Sequence, residues 1–161
     1  MTDLNARTPA ILPPDVQQAV WFLGALVRIR APGAATAGLF DVLEHQGERG
    51  YGSPVHRHDA EDETFFVLDG ELRVDVDGQS RAAGAGAVAF LPRKLSHAFV
   101  VTSPQAHFLT LHMPAGFDDF VLAAGTPATS TKTPPVDIPP SALAELAASF
   151  GIEILGPTPV P

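Results

Sequence analysis

The 161-residue sequence contains no cysteine, which excludes disulfides, thiolate metal sites, iron–sulfur clusters and cysteine nucleophiles. Any metal must be held by histidine and carboxylate. Basic residues are also few: ten Lys and Arg stand against eighteen Asp and Glu, a formal net charge of −8. No basic stripe is available to displace counterions, which argues against nucleic acid and anionic membranes as partners. The sequence lacks the long uninterrupted apolar run of a membrane helix, and its N-terminus has no basic patch leading into such a run. A cytoplasmic protein is expected.

Turn formers, in contrast, are plentiful. There are 14 glycines and 16 prolines, yet 45% of the residues are apolar. That combination disfavours both disorder and a helical bundle, and leaves a core of short strands joined by tight turns. Strand patterns fit residues 21–30, 39–44, 55–58, 64–68, 71–76, 79–82, 87–91, 97–101 and 106–113, with Asp77-Gly78 as a two-residue hairpin turn. An all-β sandwich or barrel follows. Residues 1–20 read as an N-terminal arm, 21–114 as the barrel, and 115–161 as short helices and a Pro-rich tail packing on it. In that tail, 116–122 and 141–150 have helical periodicity, Ser141 suits an N-cap and Gly151 a C-terminal cap, and Thr126 to Pro140 reads as an extended connector.

Of six histidines, three fall in an ordered pattern. His56 and His58 are one residue apart in a strand-like segment, so their side chains share a face. Glu63 follows the acidic turn 59–62, and His97 opens a later strand that could lie opposite. Three imidazoles and a carboxylate suit one borderline divalent metal such as Fe, Ni, Mn, Co, Cu or Zn, and leave open positions for a substrate. Glu61 competes with Glu63 for the carboxylate place.

These residues carry a family resemblance. Gly50 through Gly70 resembles the first cupin motif, G-x5-H-x-H-x4-E-x6-G, at every fixed position, and the interval to Gly70 favours Glu63. The second motif, G-x5-P-x-G-x2-H-x3-N, is matched by Gly86, Pro92 and His97, with Lys94 in place of its glycine and Val101 in place of its asparagine. The resemblance implies a cupin jelly-roll barrel with His56, His58, Glu63 and His97 as metal ligands. The stretches 114–120, 125–128 and 150–153 look like those of small bacterial cupins of the quercetin 2,3-dioxygenase type. This implies a metal-dependent dioxygenase cleaving a small aromatic or flavonol-like hydroxyketone with O2, Glu63 being both ligand and catalytic base. A metal-dependent isomerase, cyclase or hydrolase without O2, or a non-catalytic small-molecule binder, fits the same ligands.

Around this set, Phe65 shares strand parity with Glu63 and Phe99 with His97, so both should point to the metal side, as pocket walls or as barrel core. Tyr51 before the first motif, and Phe117 and Phe120 beyond the last strand, are further wall candidates. His112, beside Thr110 in the last barrel strand, is a candidate acid/base group or a partner of a metal ligand. His45 and His107 read as packed or surface residues. The apolar stretch 21–29 and the Pro-rich arms exceed what one small barrel needs, which predicts a homodimer.

Overall fold

Strand pairing organises the chain into two antiparallel sheets. The computed structural model describes residues 7–129 and 138–161. Along the chain run β1 (Ala19–Phe22), β2 (Ala25–Ala31), β3 (Asp41–Glu48), β4 (Val55–His58), β5 (Asp62–Asp69), β6 (Glu71–Val76), β7 (Gln79–Gly84), β8 (Val88–Leu91), β9 (His97–Val101) and β10 (Gln105–Met113). They are followed by α1 (Phe117–Ala124), β11 (Thr126–Pro127), α2 (Pro140–Ser149) and β12 (Ile152–Gly156). The larger sheet has the order β11-β1-β2-β3-β10-β5-β8 and the smaller β12-β4-β9-β6-β7. Facing one another, they form the jelly-roll sandwich expected of the sequence.

The expected hairpin is present: Asp77 and Gly78 take φ of 47° and 77°, and Val76 pairs with Gln79. That pair of positive φ angles matches the right-handed twist of the strands it joins. A second such turn corrects the reading of residues 21–30 as one strand. Leu23 and Gly24 both turn back with positive φ, so the segment is the hairpin β1–β2. The alternation visible in 26–30 belongs to β2 alone, while Val20 and Phe22 supply the inward face of β1.

The C-terminal part also differs from expectation. Residues 152–156 form β12, which pairs antiparallel with β4, and Thr126–Pro127 pairs with β1. The segment beyond residue 114 therefore contributes strands to both sheets. Its shortness and flanking prolines hid β12, because a strand with one short partner needs little periodicity. Helix α2 begins at Pro140 with Pro139 as N-cap and no side-chain cap, so Ser141 lies inside the helix. Proline suits that first turn because the missing N–H has no intrahelical acceptor there. At the other end Gly151 has φ of 72° and donates to the Ala148 carbonyl, as a C-terminal cap requires. Residues 130–137 of the expected connector and 1–6 of the arm lie outside the described residues.

Two apolar clusters fill the interior. Tyr51, Phe65, Leu72, Phe99, Val101 and Phe108 make one, and Phe22, Val27, Ile29, Phe120, Leu143 and Ile152 make the other, where α1 and α2 close over the sheets. Val20, Phe22, Val27 and Ile29 are thus buried in the chain's own core. Exposed apolar side chains gather instead on β5 and β8, at Phe66, Leu68, Val88 and Phe90.

Candidate metal centre and its cavity

Local pairing brings the four sequence-predicted ligands together. On β4, His56 and His58 alternate inward with the buried-face pattern, and His56 lies directly opposite His97 at the start of β9. Glu63 lies near the start of β5, opposite His112 on β10. All four side chains are buried, and one ligand atom from each lies within 4.8 Å of the others. Inside the cluster, His56 Nε2 is 3.1 Å from His58 Nε2, and Glu63 Oε2 is 2.8 Å from His97 Nε2 and 3.6 Å from His58 Nε2.

The outward side of each ring shows what the inward side is for. Nδ1 of His56 faces the Pro54 carbonyl at 2.8 Å, Nδ1 of His97 the Leu95 carbonyl at 3.1 Å, and Nδ1 of His58 the Glu61 carboxylate at 3.5 Å. An N–H at each Nδ1 leaves the Nε2 lone pair directed inward, which is the tautomer a metal-binding histidine needs. Three such lone pairs and a carboxylate oxygen converge in one buried place, an arrangement that repels itself unless a cation stands among them. The donor set therefore fits a divalent metal, and His56, His58, Glu63 and His97 could hold one. Glu61, the competing carboxylate, sits behind His58, and its Oε2 and the His58 Nδ1 have no other partner among the described residues.

The rings do not titrate alike: burial lowers His58, but Glu61 and Glu63 outweigh it and raise its pKa. Burial, aided by the neighbouring His97 and His58, pulls His56 down to about 3, so it stays neutral. Burial would raise the Glu63 carboxyl, but the His112 charge and hydrogen bond, with the His58 and His97 rings close by, hold it well below the carboxylate range. His112 joins a buried row across three strands. It donates from Nδ1 to Asp41 Oδ1 at 2.8 Å on β3 and from Nε2 to Glu63 Oε1 at 3.1 Å on β5. Burial opposes a charge on His112, yet Glu63 and Asp41 outweigh it and push the imidazole up to about 9. Asp41 Oδ2 in turn accepts the backbone N–H groups of Gly116 and Asp118, fastening the start of α1.

Beside the donors lies a cavity of ≈ 40 Å³. His56 and Glu63 form part of its wall, and most of the rest is apolar, with Phe22, Phe99, Phe117, Phe120, Leu143 and Ile152 among its lining residues. Of the expected wall residues, Tyr51 and Phe99 line this cavity. Phe65 does not: it is buried in the core, packed edge-on against Phe99 and stacked near Phe108. His112 also lies behind the wall, shielded by Phe117 stacked on it at 4.1 Å. Strand parity gave both their inward direction, but the nearer rings of Phe99 and Phe117 occupy the surface.

Several site residues escaped the sequence reading. Asp41 and His45 are inward on β3, which runs to Glu48 rather than stopping at residue 44. Extending the alternation Asp41, Leu43, His45 would have exposed them. The two departures from the second motif are accommodated. Lys94 keeps the left-handed turn with φ of 68° and donates its N–H to the His58 carbonyl. Val101 is fully buried in the core.

The family assignment follows from how far the match extends over these residues. Residues 43–112, which include all four donors, match the Cupin_2 cupin domain. The chain carries a cupin domain. Quercetin 2,3-dioxygenase of Bacillus subtilis (strain 168) is 24% identical to this cupin over 129 residues, covering 80% of the chain but only 38% of that protein. The chain thus spans well under half the length of that curated relative. Among solved structures, KdgF from a Halomonas species superposes with a TM-score of 0.61 at 19% identity, covering 70% of this cupin and 99% of that chain. An RmlC-like cupin from Shewanella frigidimarina gives 0.58 at 18% identity, covering 70% and 96%. Both likenesses concern the fold. No helix among the described residues is long and apolar enough to cross a membrane.

Proposed function

We propose that this cupin is a metal-dependent enzyme whose substrate sits in the aromatic cavity beside His56 and Glu63, and that it performs a dioxygenation of the quercetinase kind. The observation that carries the reading is the shared wall: two of the four donors open onto the same apolar cavity. The distant likeness to quercetin 2,3-dioxygenase supports the choice of reaction. A divalent cation held by His56, His58, Glu63 and His97 supplies Lewis acidity that lowers the pKa of a bound hydroxyl.

The chain's own residues then have distinct tasks. Glu63 is ionised and can accept the substrate's hydroxyl proton. His112 holds the other Glu63 oxygen and keeps the carboxylate from turning away. Phe99, Phe117 and Phe120 exclude water from the electron-rich anion so formed. A cavity of ≈ 40 Å³ is small even for a single ring, so α1 and α2 would have to shift to admit any substrate and furthest for a three-ring flavonol; the site therefore favours a small hydroxyketone or single-ring aromatic diol. A non-oxidative isomerase, cyclase or hydrolase is the second reading. It is favoured by a hydrogen-bonded Tyr51, His45 and Thr110 group on the cavity wall, which could hold and polarise a substrate carbonyl without O2.

Elemental analysis of purified protein together with an oxygen-electrode screen of small hydroxyketones, aromatic diols and flavonols tests the proposal. Bound metal with substrate-dependent O2 uptake is the expected result. Bound metal with anaerobic conversion favours the second reading, and metal with neither leaves a small-molecule binder.

A further inference from the structure

One buried polar group on the cavity wall has no part in holding metal. Tyr51, His45 and Thr110 all line the cavity. The Tyr51 hydroxyl is 2.9 Å from His45 Nδ1, and His45 Nε2 is 2.9 Å from Thr110 Oγ1. The group is rigid. His45 stacks on Phe108 with centroids 4.7 Å apart and planes 2° from parallel, and Tyr51 meets Phe99 edge-on at 5.4 Å. Tyr51 lies across Gly47, where any Cβ would overlap its ring. His45 and Thr110 sit diagonally on neighbouring strands β3 and β10, so backbone pairing sets their separation.

Counting protons shows what this group lacks. Burial pulls His45 down to about 3, so its imidazole is neutral and carries one N–H. Burial and the Glu63 charge push the Tyr51 phenol up, so it keeps its proton. With the Thr110 hydroxyl there are three protons but only two internal contacts, and each contact consumes one. If Thr110 donates to Nε2, His45 donates from Nδ1 to Tyr51, and the Tyr51 O–H is left over. In the other tautomer Tyr51 donates to Nδ1, Nε2–H donates to Thr110, and the Thr110 O–H is left over. Neither hydroxyl has another acceptor among the described residues. A buried donor without an acceptor is costly, and Tyr51 and Thr110 are both lining residues of the same cavity.

We propose that Tyr51, His45 and Thr110 form a specificity-determining unit that donates one hydrogen bond to an uncharged carbonyl or ether oxygen of the substrate, an oxygen additional to those that face the four metal-binding residues. The inference rests on the reading of the cavity as the substrate site and narrows it: the substrate is a small molecule with a chelating pair of oxygens and a third, acceptor oxygen. An anionic group is disfavoured there because Glu63 is ionised on the same wall. Either His45 tautomer delivers the donor, so the third oxygen can approach Tyr51 or Thr110.

The test uses Zn2+-loaded protein, redox-inert so that no turnover intervenes. Calorimetry compares 3,4-dihydroxybenzaldehyde with 4-methylcatechol, which present the same diol but differ in the carbonyl. The ratio of their affinities, taken in the wild type and in a Tyr51→Phe, Thr110→Val double variant, cancels the intrinsic difference between the chelators. One neutral hydrogen bond predicts that the preference for the aldehyde falls about 3- to 10-fold in the variant. An unchanged ratio overturns the inference and leaves the substrate site standing. If neither probe binds the loaded wild type, the substrate-site reading fails, and the inference with it. Should the double variant not fold, 15N NMR of His45 in the wild type decides: the aldehyde, and not 4-methylcatechol, is expected to shift the Nδ1 and Nε2 populations, and an identical response to both overturns the inference.

Discussion

Glu63 presents one oxygen to the histidine cluster and the other to His112, so the orientation of a single carboxylate depends on a residue outside the ligand set. Groups that orient a metal ligand typically contribute about 10- to 100-fold in affinity. His112→Leu is therefore expected to weaken Zn2+ binding by about that factor, measured by competition with a chromogenic chelator, while His58→Ala abolishes stoichiometric retention. Lys94 shows the opposite economy. A non-glycine residue in the left-handed region costs about 1–2 kcal/mol, so Lys94→Gly is expected to raise the free energy of unfolding by up to about 1 kcal/mol in urea melts, after glycine's own entropy is charged against it.

Elements from the C-terminal part of the chain close the site. Helix α2 and strand β12 reach the cavity through Leu143, Ala147, Ile152 and Ile154, and β12 pairs with β4 so that Ile152 lies opposite His58 and Ile154 opposite His56. The strand that carries two of the ligands thus has the last strand of the chain as one neighbour and β9 as the other. Helix α1 is tied to the same place by Asp41, which also holds His112. Leu143→Ala removes a buried side chain between α2 and the sheets and is expected to cost about 2–5 kcal/mol of stability. Denaturant unfolding measures that loss, and the enlarged cavity should admit bulkier catechols than the wild type does.

Over the whole molecule, buried histidines make the metal-free protein sensitive to acid. His45 and His56 are neutral in the folded state at values near 3, well below the usual 6.5. As pH falls below 6.5 the unfolded chain takes up protons that the fold refuses, so stability drops progressively toward pH 3. The loss is on the order of 2 kcal/mol for each histidine near pH 5. His112 acts in the opposite direction: its stabilisation is complete below 6.5 and fades as pH rises through about 9. Urea midpoints of chelator-treated protein between about pH 5 and 9 should therefore fall at both ends, steeply on the acid side. Metal bound to the folded state alone raises the melting temperature, and a chelator reverses the gain. Sedimentation tests the homodimer: twice the 16.9 kDa chain mass bears it out, and 16.9 kDa refutes it.

The sequence by itself determined most of the jelly-roll strands and pointed to the four donors, because strand period, turn residues and motif spacing are written at short range. His56 and His58 share a face through the two-residue period of one strand, and Asp77-Gly78 makes its turn from its own backbone preferences. Tertiary structure alone decided the rest. Asp41 and His112 are 71 residues apart and His45 and Thr110 are 65, and only the pairing of β3 with β10 makes them neighbours. Likewise, Phe65 and Phe99 have the same inward parity, but which ring faces the cavity depends on how side chains from opposite sheets fill one interior. Strand period specifies a direction for each side chain, while depth and partners come from sheet order and packing, which no local pattern encodes.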